Sequence, residues 1–290
     1  MTQVDEQIAL AGGVRAVPPR ELAAGDVIHT HLCGVPMACL DFAKLCEVID
    51  SRVRAGAPGF GVTPNVDHIC MYHRNPALRA AYADAFVALP DGTPLMWAAR
   101  LLRRPVKEKL SGSDLVPWLS AHAAEQGHRV FFFGAADGVA AMAAENLQRQ
   151  YPSLRVAGTY SPPLGFEKDP EAAAAAVAAI QEASPDLLFV ALGAPKQELW
   201  LHQHYEALGV PVCFGIGAAL DFAAGNVKRA PRPIQRIGLE WFWRLCQEPR
   251  RLWRRYLIED AYFAVLIWRE IRGKLKTPEI NRPSPPEGSI

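Results

Sequence analysis

The feature that most constrains the fold of this chain is a series of continuously apolar stretches separated by helix-compatible segments. The stretches "VFFF" (130–133) and "LLFVAL" (187–192) contain no polar residue, and helical patterns lie between them at 138–150 and 170–183. A strand with one solvated face alternates apolar and polar residues, so a strand without this alternation is buried on both faces. The sequence therefore predicts an α/β fold with a mostly parallel sheet that helices cover on both faces.

Four segments along the chain differ in composition. We expect an N-terminal extension over 1–28, an α/β domain over 29–228, a basic helical C-terminal appendage over 229–273 and a disordered tail over 274–290. A chain of 290 residues, half of them hydrophobic, is long enough for one large domain with an appendage.

Cysteine spacing and hydropathy exclude several classes of protein. The six cysteines are scattered without a C-x-x-C pair, which favours buried thiols in a reducing compartment over a disulfide framework or a zinc site. The N-terminus shows no basic segment followed by an apolar one, so no secretion signal is expected. No apolar run approaches the ~20 residues needed to cross a bilayer. No metal site is expected at His29 and His31 or at His202 and His204, because no cysteine or carboxylate accompanies them at metal-binding spacing.

Small and polar residues follow five of the predicted strands. These segments are 63–68, 90–92, 134–138, 193–198 and 217–225. The carboxyl ends of parallel strands lie at one edge of a sheet, where glycines admit a ligand and helix N-termini present free N–H groups to an anion. The pattern therefore favours a ligand that contains phosphate. It is not a dinucleotide fingerprint, because no G-x-G-x-x-G follows a strand, and no P-loop motif occurs.

Three polar segments at these strand ends have two interpretations each. Asp91, in "LPDG", either caps the following helix or places a carboxylate in the site. For Asp67–His68 we favour a helix cap over a catalytic role. The segment 111–114, "SGSD", is a helix cap, and whether it also contacts phosphate is left open.

Basic charge is concentrated near the C-terminus. Residues 228–276 contain 13 Lys and Arg against 5 Asp and Glu, whereas the rest of the chain has 18 against 25. Residues 232–247 predict one amphipathic helix, Pro249 ends it, and a second helix begins with Arg250, Arg251, Arg254 and Arg255. Arginine at a helix start opposes the helix dipole, and arginines beside aromatic residues suit an anionic membrane or a lipid diphosphate. The alternative is a packing helix with a solvated basic face. Nucleic acid is not expected as a partner, because the body of the chain is acidic.

The order and spacing of several motifs resemble those of the WecG/TagA/CpsF glycosyltransferase family. The motifs are "TPNVDH", "LPDGTPLMWAARLL", "EKLSGSDL", "FFFGAADGVA", "GTYSPPLGF", "ALGAPKQELW" and "FAAGNVKRAPRPIQRIGLEWFWRLCQEPRRLWRRYL". The resemblance covers about Leu32 to Leu257. It implies a Rossmann-like domain with a C-terminal appendage that transfers a sugar, with inversion, from a UDP-sugar to a polyprenyl-diphosphate-linked sugar. It also implies catalysis without metal or another cofactor, by a peripheral enzyme at the cytoplasmic face of the plasma membrane.

The resemblance also assigns roles to particular residues. Asp91 falls on the family's proposed general base. The resemblance places Thr63, Asn65, Lys109, Gln197 and Asp221 in the substrate site. The strand-end pattern adds Ser113, Gly134 and Gly193 to the expected substrate-binding set. Lys109 stands where the family usually has arginine, which keeps the charge and loses the bidentate fork. The basic and aromatic pattern of the C-terminal segment, independently of the resemblance, gives the arginines expected to bind lipid or diphosphate: Arg229, Arg232, Arg236, Arg244, Arg251, Arg254 and Arg255.

Two other functions compete with this interpretation. A sugar-nucleotide dehydrogenase or epimerase would share the strand-end glycines, but the missing dinucleotide fingerprint weighs against it. A non-catalytic membrane-surface module would share the basic appendage. An apolar face built for lipid also suits packing of identical subunits, so a homo-oligomer is a further partner to test. The sequence does not name the donor sugar; N-acetylmannosamine, its uronic acid and glucose all fit the resemblance.

Overall fold

The computed structural model describes residues 27–275, except for the side chains of Arg232, Arg236, Arg251, Leu257 and Ile258. The predicted tail, apart from its first two residues, lies outside this range, as does the N-terminal extension up to residue 26. A six-stranded sheet, parallel at each pairing, forms the centre of the fold with the strand order β4-β3-β8-β7-β5-β6. Its strands are β3 (Phe60–Val62), β4 (Val87–Ala88), β5 (Arg129–Gly134), β6 (Arg155–Tyr160), β7 (Leu187–Ala191) and β8 (Val212–Gly215). The predicted α/β class with a parallel sheet is confirmed.

Thirteen helices are described along the chain. Those of the body are α1 (Phe42–Ala55), α2 (Val66–Arg74), α3 (Pro76–Asp84), α4 (Thr93–Leu101), α5 (Gly112–Gln126), α6 (Val139–Gln150), α7 (Pro170–Ala183), α8 (Lys196–Leu208) and α9 (Ala219–Ala224). Those of the appendage are α10 (Arg232–Arg236), α11 (Glu240–Gln247), α12 (Pro249–Arg254) and α13 (Ala261–Ile271), with a π-helical turn at Arg255–Glu259 between the last two.

The central strands are apolar at successive positions because each face of the sheet has its own hydrophobic core. Along β5, Val130 and Phe132 pack into one core with residues of α1, α5, α6 and α9. Phe131 and Phe133 pack into the other core with residues of α2, α3, α4, α7, α8 and α13. Successive side chains of a strand point to opposite faces, so both faces require apolar residues.

The predicted strand and turn near residue 30 form a hairpin outside the main sheet. Strands β1 (His29–Leu32) and β2 (Val35–Ala38) pair antiparallel in a separate two-stranded sheet. The two turn residues, Cys33 and Gly34, have φ of 50° and 78°. Two successive residues with positive φ match the right-handed twist of the strands they join, which favours this tight connection.

The appendage differs from its prediction in two respects. Residues 232–247 do not form one helix, because the chain turns at Gly238 (φ 76°) between α10 and α11. A Cβ at Gly238 would lie 2.6 Å from the Thr93 Cγ2 atom, so glycine allows this turn to rest directly on α4. The second difference concerns Pro249, which was expected to precede the second helix. It lies in the first turn of α12, where a backbone N–H has no partner within the helix and its absence costs nothing.

The last helix of the appendage is part of the core of the molecule. Phe263 and Leu266 of α13 are 8 % and 0 % exposed and pack into the core that contains α2. The appendage is therefore fixed to the body by apolar burial as well as by charge. Within residues 27–275, no helix is both long and apolar enough to cross a membrane.

Candidate active site

A cavity of about 530 Å³ opens between the carboxyl ends of the strands and the appendage. Its body wall is formed by residues that follow β3, β4, β7 and β8, including Thr63, Asp91, Gly193 and Gly217. Its appendage wall is formed by residues from the Gly238 turn to α13. Parallel strands end at one edge, and the turns that follow them leave a crevice there, which explains the position of the cavity.

Asp91 reaches this cavity because of the turn that follows β4. The Asp91 backbone N–H donates to the carbonyl oxygen of Pro64 at 2.8 Å, which ties this turn to the one after β3. Gly92 (φ 103°) is the N-cap residue of helix α4, and no side chain forms a cap hydrogen bond there. The alternative in which Asp91 serves as the cap of α4 is therefore wrong. The Asp91 side chain lines the cavity instead.

The environment of Asp91 favours its protonated form more than water does. Burial raises the pKa of Asp91 to about 6, and the negative charges of Glu240 and Asp114 act in the same direction. The positive charges of Lys109 and His68 oppose this rise. A carboxylate with a pKa close to neutral is suited to accept a proton from a hydroxyl group and later release it.

A buried hydrogen-bond network lies beneath the body wall. Asn65 caps α2: its Oδ1 atom accepts from the His68 backbone N–H at 3.1 Å and lies 2.9 Å from His68 Nδ1. His68 Nε2 lies 3.1 Å from Glu198 Oε1, which also accepts from Gln197 Nε2 at 2.8 Å. Gln197 Oε1 accepts from the Gly217 N–H at 2.9 Å. The network thus connects the turn after β3 with the turn after β8.

The network determines the charge of His68. The oxygen of the Asn65 amide faces His68, because it accepts the backbone N–H, so Nδ1 must donate to it. Nε2 faces the Glu198 carboxylate, and an imidazole that donates from both nitrogens is an imidazolium. Burial opposes the charged form, but the Glu198 carboxylate outweighs it, and the pKa of His68 is raised. His68 therefore places a buried positive charge next to the cavity.

Two small contacts hold the rest of the body wall. The Thr63 hydroxyl donates to the Gly215 carbonyl oxygen at 2.9 Å. A Cβ at Gly215 would lie 2.8 Å from Gln197 Nε2, so glycine is needed for the amide to pass beneath the strand end. Both contacts position Thr63 and Gln197 at the floor of the cavity.

The appendage wall contributes two guanidinium groups, of Arg244 and Arg255, and two carboxylates, of Glu240 and Asp260. Arg255 Nε lies 2.9 Å from Asp67 Oδ2, an ion pair that joins the appendage to α2. The guanidinium of Arg244 lies 5.6 Å from the centroid of the Phe222 ring, and its Nε is buried without a hydrogen-bond partner. Burial and the nearby Asp67 carboxylate raise the pKa of Asp260 to about 7, and its Oδ1 is buried without a partner. Positive charge on this wall suits an anionic ligand.

The cap predicted for Asp67–His68 is wrong. Asn65 is the N-cap of α2, whereas Asp67 lies in the first turn and pairs with Arg255. His68 belongs to the buried network. The residues 111–114 do begin α5, but no side-chain cap bond is present there, and the Ser111 hydroxyl donates to Asp114 Oδ2 at 2.5 Å.

A cluster of four charged residues joins body and appendage beside the cavity. Lys109 Nζ lies 3.0 Å from Asp114 Oδ2 and 3.9 Å from Glu240 Oε2. Arg229 contacts the same two carboxylates at 2.6 Å and 2.9 Å. Lys109 and Arg229 are thus held in ion pairs, and neither lines the cavity.

The structure brings together most of the residues that the sequence singled out. Those that line the cavity are Thr63, Asn65, Asp91, Ser113, Gly193, Gln197, Asp221, Arg244 and Arg255. Gly134 does not line it: its φ is 98° and a Cβ there would lie 2.5 Å from the Ala191 carbonyl oxygen, so packing accounts for this glycine. Arg254 is 74 % exposed and lies 3.6 Å from Glu259. The side chains of Arg232, Arg236 and Arg251 are outside the described residues.

Sequence reasoning missed three residues of this site. Glu198 lies within the strand-end segment 193–198, directly after Gln197, but it was given no role in the site. Asp260 and Tyr256 line the cavity from the turn after α12. Tyr256 lies within the last quoted motif but was given no role in the site, and Asp260 lies beyond that motif. Their position depends on how the appendage folds back onto the body.

A separate group of potential metal ligands lies at the opposite end of the sheet. Asp50 Oδ1 is 2.8 Å from both His122 Nε2 and His128 Nε2, and none of the three residues lines the cavity. Among residues 27–275 this is the one group of three or more such ligands. His202, for which no carboxylate partner was expected, pairs with Asp84 at 2.9 Å.

The fold and the cavity define an α/β protein whose ligand site lies outside the carboxyl ends of parallel strands. The model of the family described as "Glycosyl transferase WecG/TagA/CpsF family" matches residues 30–277, and the chain belongs to this family. It is 36 % identical over 211 residues to the N-acetylglucosaminyldiphosphoundecaprenol N-acetyl-beta-D-mannosaminyltransferase of Bacillus spizizenii, covering 73 % of this chain and 79 % of the relative. It is 34 % identical over 186 residues to the protein of the same name from Bacillus subtilis, covering 64 % and 70 %. The chain is accordingly a hexosyltransferase.

Proposed function

We propose that this protein transfers a sugar from a UDP-sugar to a sugar linked to a polyprenyl diphosphate, with inversion and with Asp91 as general base. Asp91 removes the proton from the acceptor hydroxyl as the oxygen attacks the anomeric carbon, the bond to UDP breaks, and UDP leaves. The observation that carries the proposal is the Asp91 carboxylate, which has a pKa raised to about 6 and lies in the cavity between the body wall and the appendage wall.

The names of the relatives support the acceptor and the stereochemistry. They describe N-acetylglucosaminyl-diphospho-undecaprenol as the acceptor and a β-linked mannosaminyl product. An α-linked sugar nucleotide gives a β-linked product through one displacement, and one displacement needs a single base. UDP-N-acetylmannosamine is therefore the first donor to test. Such an acceptor belongs to the assembly of a cell-envelope polysaccharide.

The departing UDP requires positive charge or N–H donors at its diphosphate. Arg244 and Arg255 line the cavity, and Gly193 and Gly217 allow close approach to the backbone at the body wall. A guanidinium can bind two phosphate oxygens at once, which suits it to hold a diphosphate as charge develops. The buried Nε of Arg244, which lacks a protein partner, is the donor most in need of such a ligand.

We propose that the reaction does not need a metal ion. Mg²⁺ bridges diphosphate oxygens when carboxylates converge beside them. Within the described part of the chain, the group of metal-ligating side chains that converges is Asp50, His122 and His128, away from the cavity. Activity should be unchanged after treatment with EDTA, measured as UDP release. Complete loss that Mg²⁺ or Mn²⁺ restores would contradict this part of the proposal.

We further propose that the appendage holds the enzyme at the inner surface of the plasma membrane, where a lipid-linked acceptor is found. Arg250, Trp253 and Arg254 are exposed on α12, which places cations beside an aromatic side chain. Each cation near an anionic surface contributes about 1 kcal/mol, and apolar contact adds to it.

A donor screen tests the main proposal. Full-length protein is incubated with a short-chain, water-soluble lipid-diphosphate sugar and each of UDP-N-acetylmannosamine, its uronic acid and UDP-glucose, and UDP release is measured. Acceptor-dependent release with one of them is expected. Tight binding of NAD with turnover of the UDP-sugar alone would favour a dehydrogenase or epimerase. Vesicle binding without any UDP-sugar binding would favour the non-catalytic module.

A further inference from the structure

The surface of helix α4 is unusual for a helix of the catalytic body. Trp97 and Leu101 on it are 48 % and 65 % exposed, although both are large apolar residues. Arg100, beside them, and Arg103, just after the helix, are also exposed. The local sequence is thus apolar and cationic together, within a body whose net charge is negative.

Arg103, just after the end of α4, has a backbone conformation that would be less strained for glycine. Arg103 has φ of 53°, in the left-handed region that residues other than glycine rarely adopt. Helices commonly end with a glycine in this conformation. The chain places arginine there, with its side chain in solvent.

The appendage contacts helix α4 near its start and just beyond its end. At its start, the Gly238 turn rests on Thr93 and Trp97. At its end, Arg104 Nη2 lies 2.8 Å from Glu270 Oε1 of α13. Exposed apolar residues and a cation recur next to Glu270: Trp268 and Ile271 are 49 % and 58 % exposed, and the Arg272 guanidinium lies 4.4 Å from the Trp268 ring centroid.

We infer that α4 and α13 together form a membrane-docking surface, which we call the α4–α13 surface and define as Trp97, Arg100, Leu101, Arg103, Trp268, Ile271 and Arg272. Its occupant is the surface of an anionic phospholipid bilayer. Exposed aromatic and aliphatic side chains enter the headgroup region, and the arginines beside them pair with anionic headgroups. Aromatic residues and arginines also occur in protein contacts. We commit to a bilayer because each of the defined charges of this surface is positive and therefore complements anionic headgroups.

The position of α4 gives this docking a consequence for catalysis, and in this respect the inference rests on the proposed function. Helix α4 begins directly after Asp91 and Gly92, and both line the cavity. Leu101 lies eight residues beyond Thr93, about 12 Å along a helix. A bilayer against the α4–α13 surface would therefore hold the catalytic carboxylate a short distance above the headgroups, within reach of a sugar diphosphate anchored in the membrane.

The test uses the full-length double variant Arg100→Glu/Leu101→Glu, in which neither residue lines the cavity. A matched control is Met142→Glu/Arg149→Glu on α6, which makes the same change in charge at another exposed helix surface. Sedimentation with phosphatidylcholine vesicles, with and without phosphatidylglycerol, measures membrane binding. UDP release is measured with a short water-soluble acceptor and with a long-chain acceptor embedded in the vesicles, and thermal melting checks the fold.

We expect the α4 variant to lose about tenfold or more in binding to the phosphatidylglycerol vesicles and in transfer to the embedded acceptor, since two cationic or apolar contacts become repulsive. Transfer to the soluble acceptor and all properties of the control should be unchanged. Unchanged vesicle binding, or an equal loss in the control, would overturn the inference. A changed molecular mass in solution with unchanged vesicle binding would assign the surface to self-association instead.

Vesicle binding does not depend on sugar transfer, so it decides the inference even if no donor is turned over. A melting temperature lowered in the α4 variant would be followed by the milder pair Arg100→Gln/Leu101→Ser, for which the same ranking against the control is expected. If this folded pair binds vesicles like the wild type, the α4–α13 surface is not a membrane contact.

Discussion

The body wall and the appendage wall of the cavity differ in how far their buried polar groups have hydrogen-bond partners within the protein. On the body side, Asn65, His68 and Gln197 bond to one another through Glu198, and together they connect two strand ends. On the appendage side, Arg244 Nε and Asp260 Oδ1 are buried without a hydrogen-bond partner. A buried polar group without a partner costs about 1–3 kcal/mol. The body network has one such atom as well, Glu198 Oε2, but its other polar groups are paired with one another. The comparison indicates that the body wall is largely set in advance, whereas the appendage wall leaves a donor and an acceptor for a ligand.

Asp91→Asn should have the largest effect on catalysis. Turnover should fall by roughly 10²–10⁴, as expected for loss of a general base, while the affinity for UDP stays near that of the wild type. In the wild type, activity should fall as pH falls through about 6, because the base must be ionised. UDP release as a function of pH measures the turnover and its pH dependence, and UDP titration measures the affinity.

The same substitution should stabilise the fold. The pKa of Asp91 is higher in the folded state than in the unfolded state, so its stabilising contribution is present below about pH 4 and is lost as pH rises through about 6. At pH 7.5 the asparagine variant should therefore unfold at a higher temperature than the wild type, and this difference should vanish near pH 4. For the turnover prediction above, normal turnover of Asp91→Asn would show that Asp91 is not the general base.

Leu266→Ala tests whether the appendage is part of the folded body. Leu266 is fully buried in the core that α13 shares with the sheet. The substitution should lower the free energy of unfolding by about 2–5 kcal/mol, in one transition with the body. Urea unfolding measures this, and Val265→Ala, at a position 41 % exposed, is the control expected to change little. A separate early transition for the appendage would show that the two parts fold independently.

Arg244→Ala and Arg255→Ala should remove positive charge from the appendage wall, and Arg255→Ala also removes the ion pair with Asp67 of α2. Each should lower kcat/KM by about 10–100-fold, the effect of losing one charged hydrogen bond to the diphosphate. Arg244→Lys should restore activity only in part, because lysine lacks the planar, bidentate geometry of the guanidinium. With the water-soluble acceptor, Arg254→Ala is the matched control, since Arg254 is 74 % exposed and does not line the cavity. An equal loss in all three alanine variants would indicate a general charge effect.

His68→Gln should have the smallest effect on the rate and a specific effect on its pH dependence. The imidazolium lowers the pKa of Asp91, so its removal should move the acidic limb of the pH–rate profile to higher pH. Other charges that face His68 are Glu198, Asp67 and Arg255. Glu198→Gln should also move the limb to higher pH, because it removes the carboxylate that keeps His68 charged. If the rate falls but the acidic limb of the pH–rate profile stays at the same pH, His68 has only a packing role.

Much of the body could be predicted because its signals are local. Phe131, Phe132 and Phe133 predict a strand buried on both faces from three adjacent letters, and Pro90–Gly92 marks the turn that carries Asp91. The prediction of one helix over 232–247 was wrong for a physical reason. Gly238 allows a turn, and the packing of this turn against α4 stabilises it. His68 was interpreted as part of a cap because its partner Glu198 lies 130 residues further along the chain.

The sequence alone determined the parallel sheet, the strand-end position of Asp91 and the basic character of the C-terminal segment, since each follows from the apolar period, turn chemistry or charge of neighbouring residues. Only the tertiary structure decided which charges face the cavity. Lys109 and Arg229 pair with Asp114 and Glu240, whereas Arg244 remains in the cavity wall. The energy of an ion depends on its distance to other charges and on its access to water, and both are set by contacts between residues that are far apart in the chain.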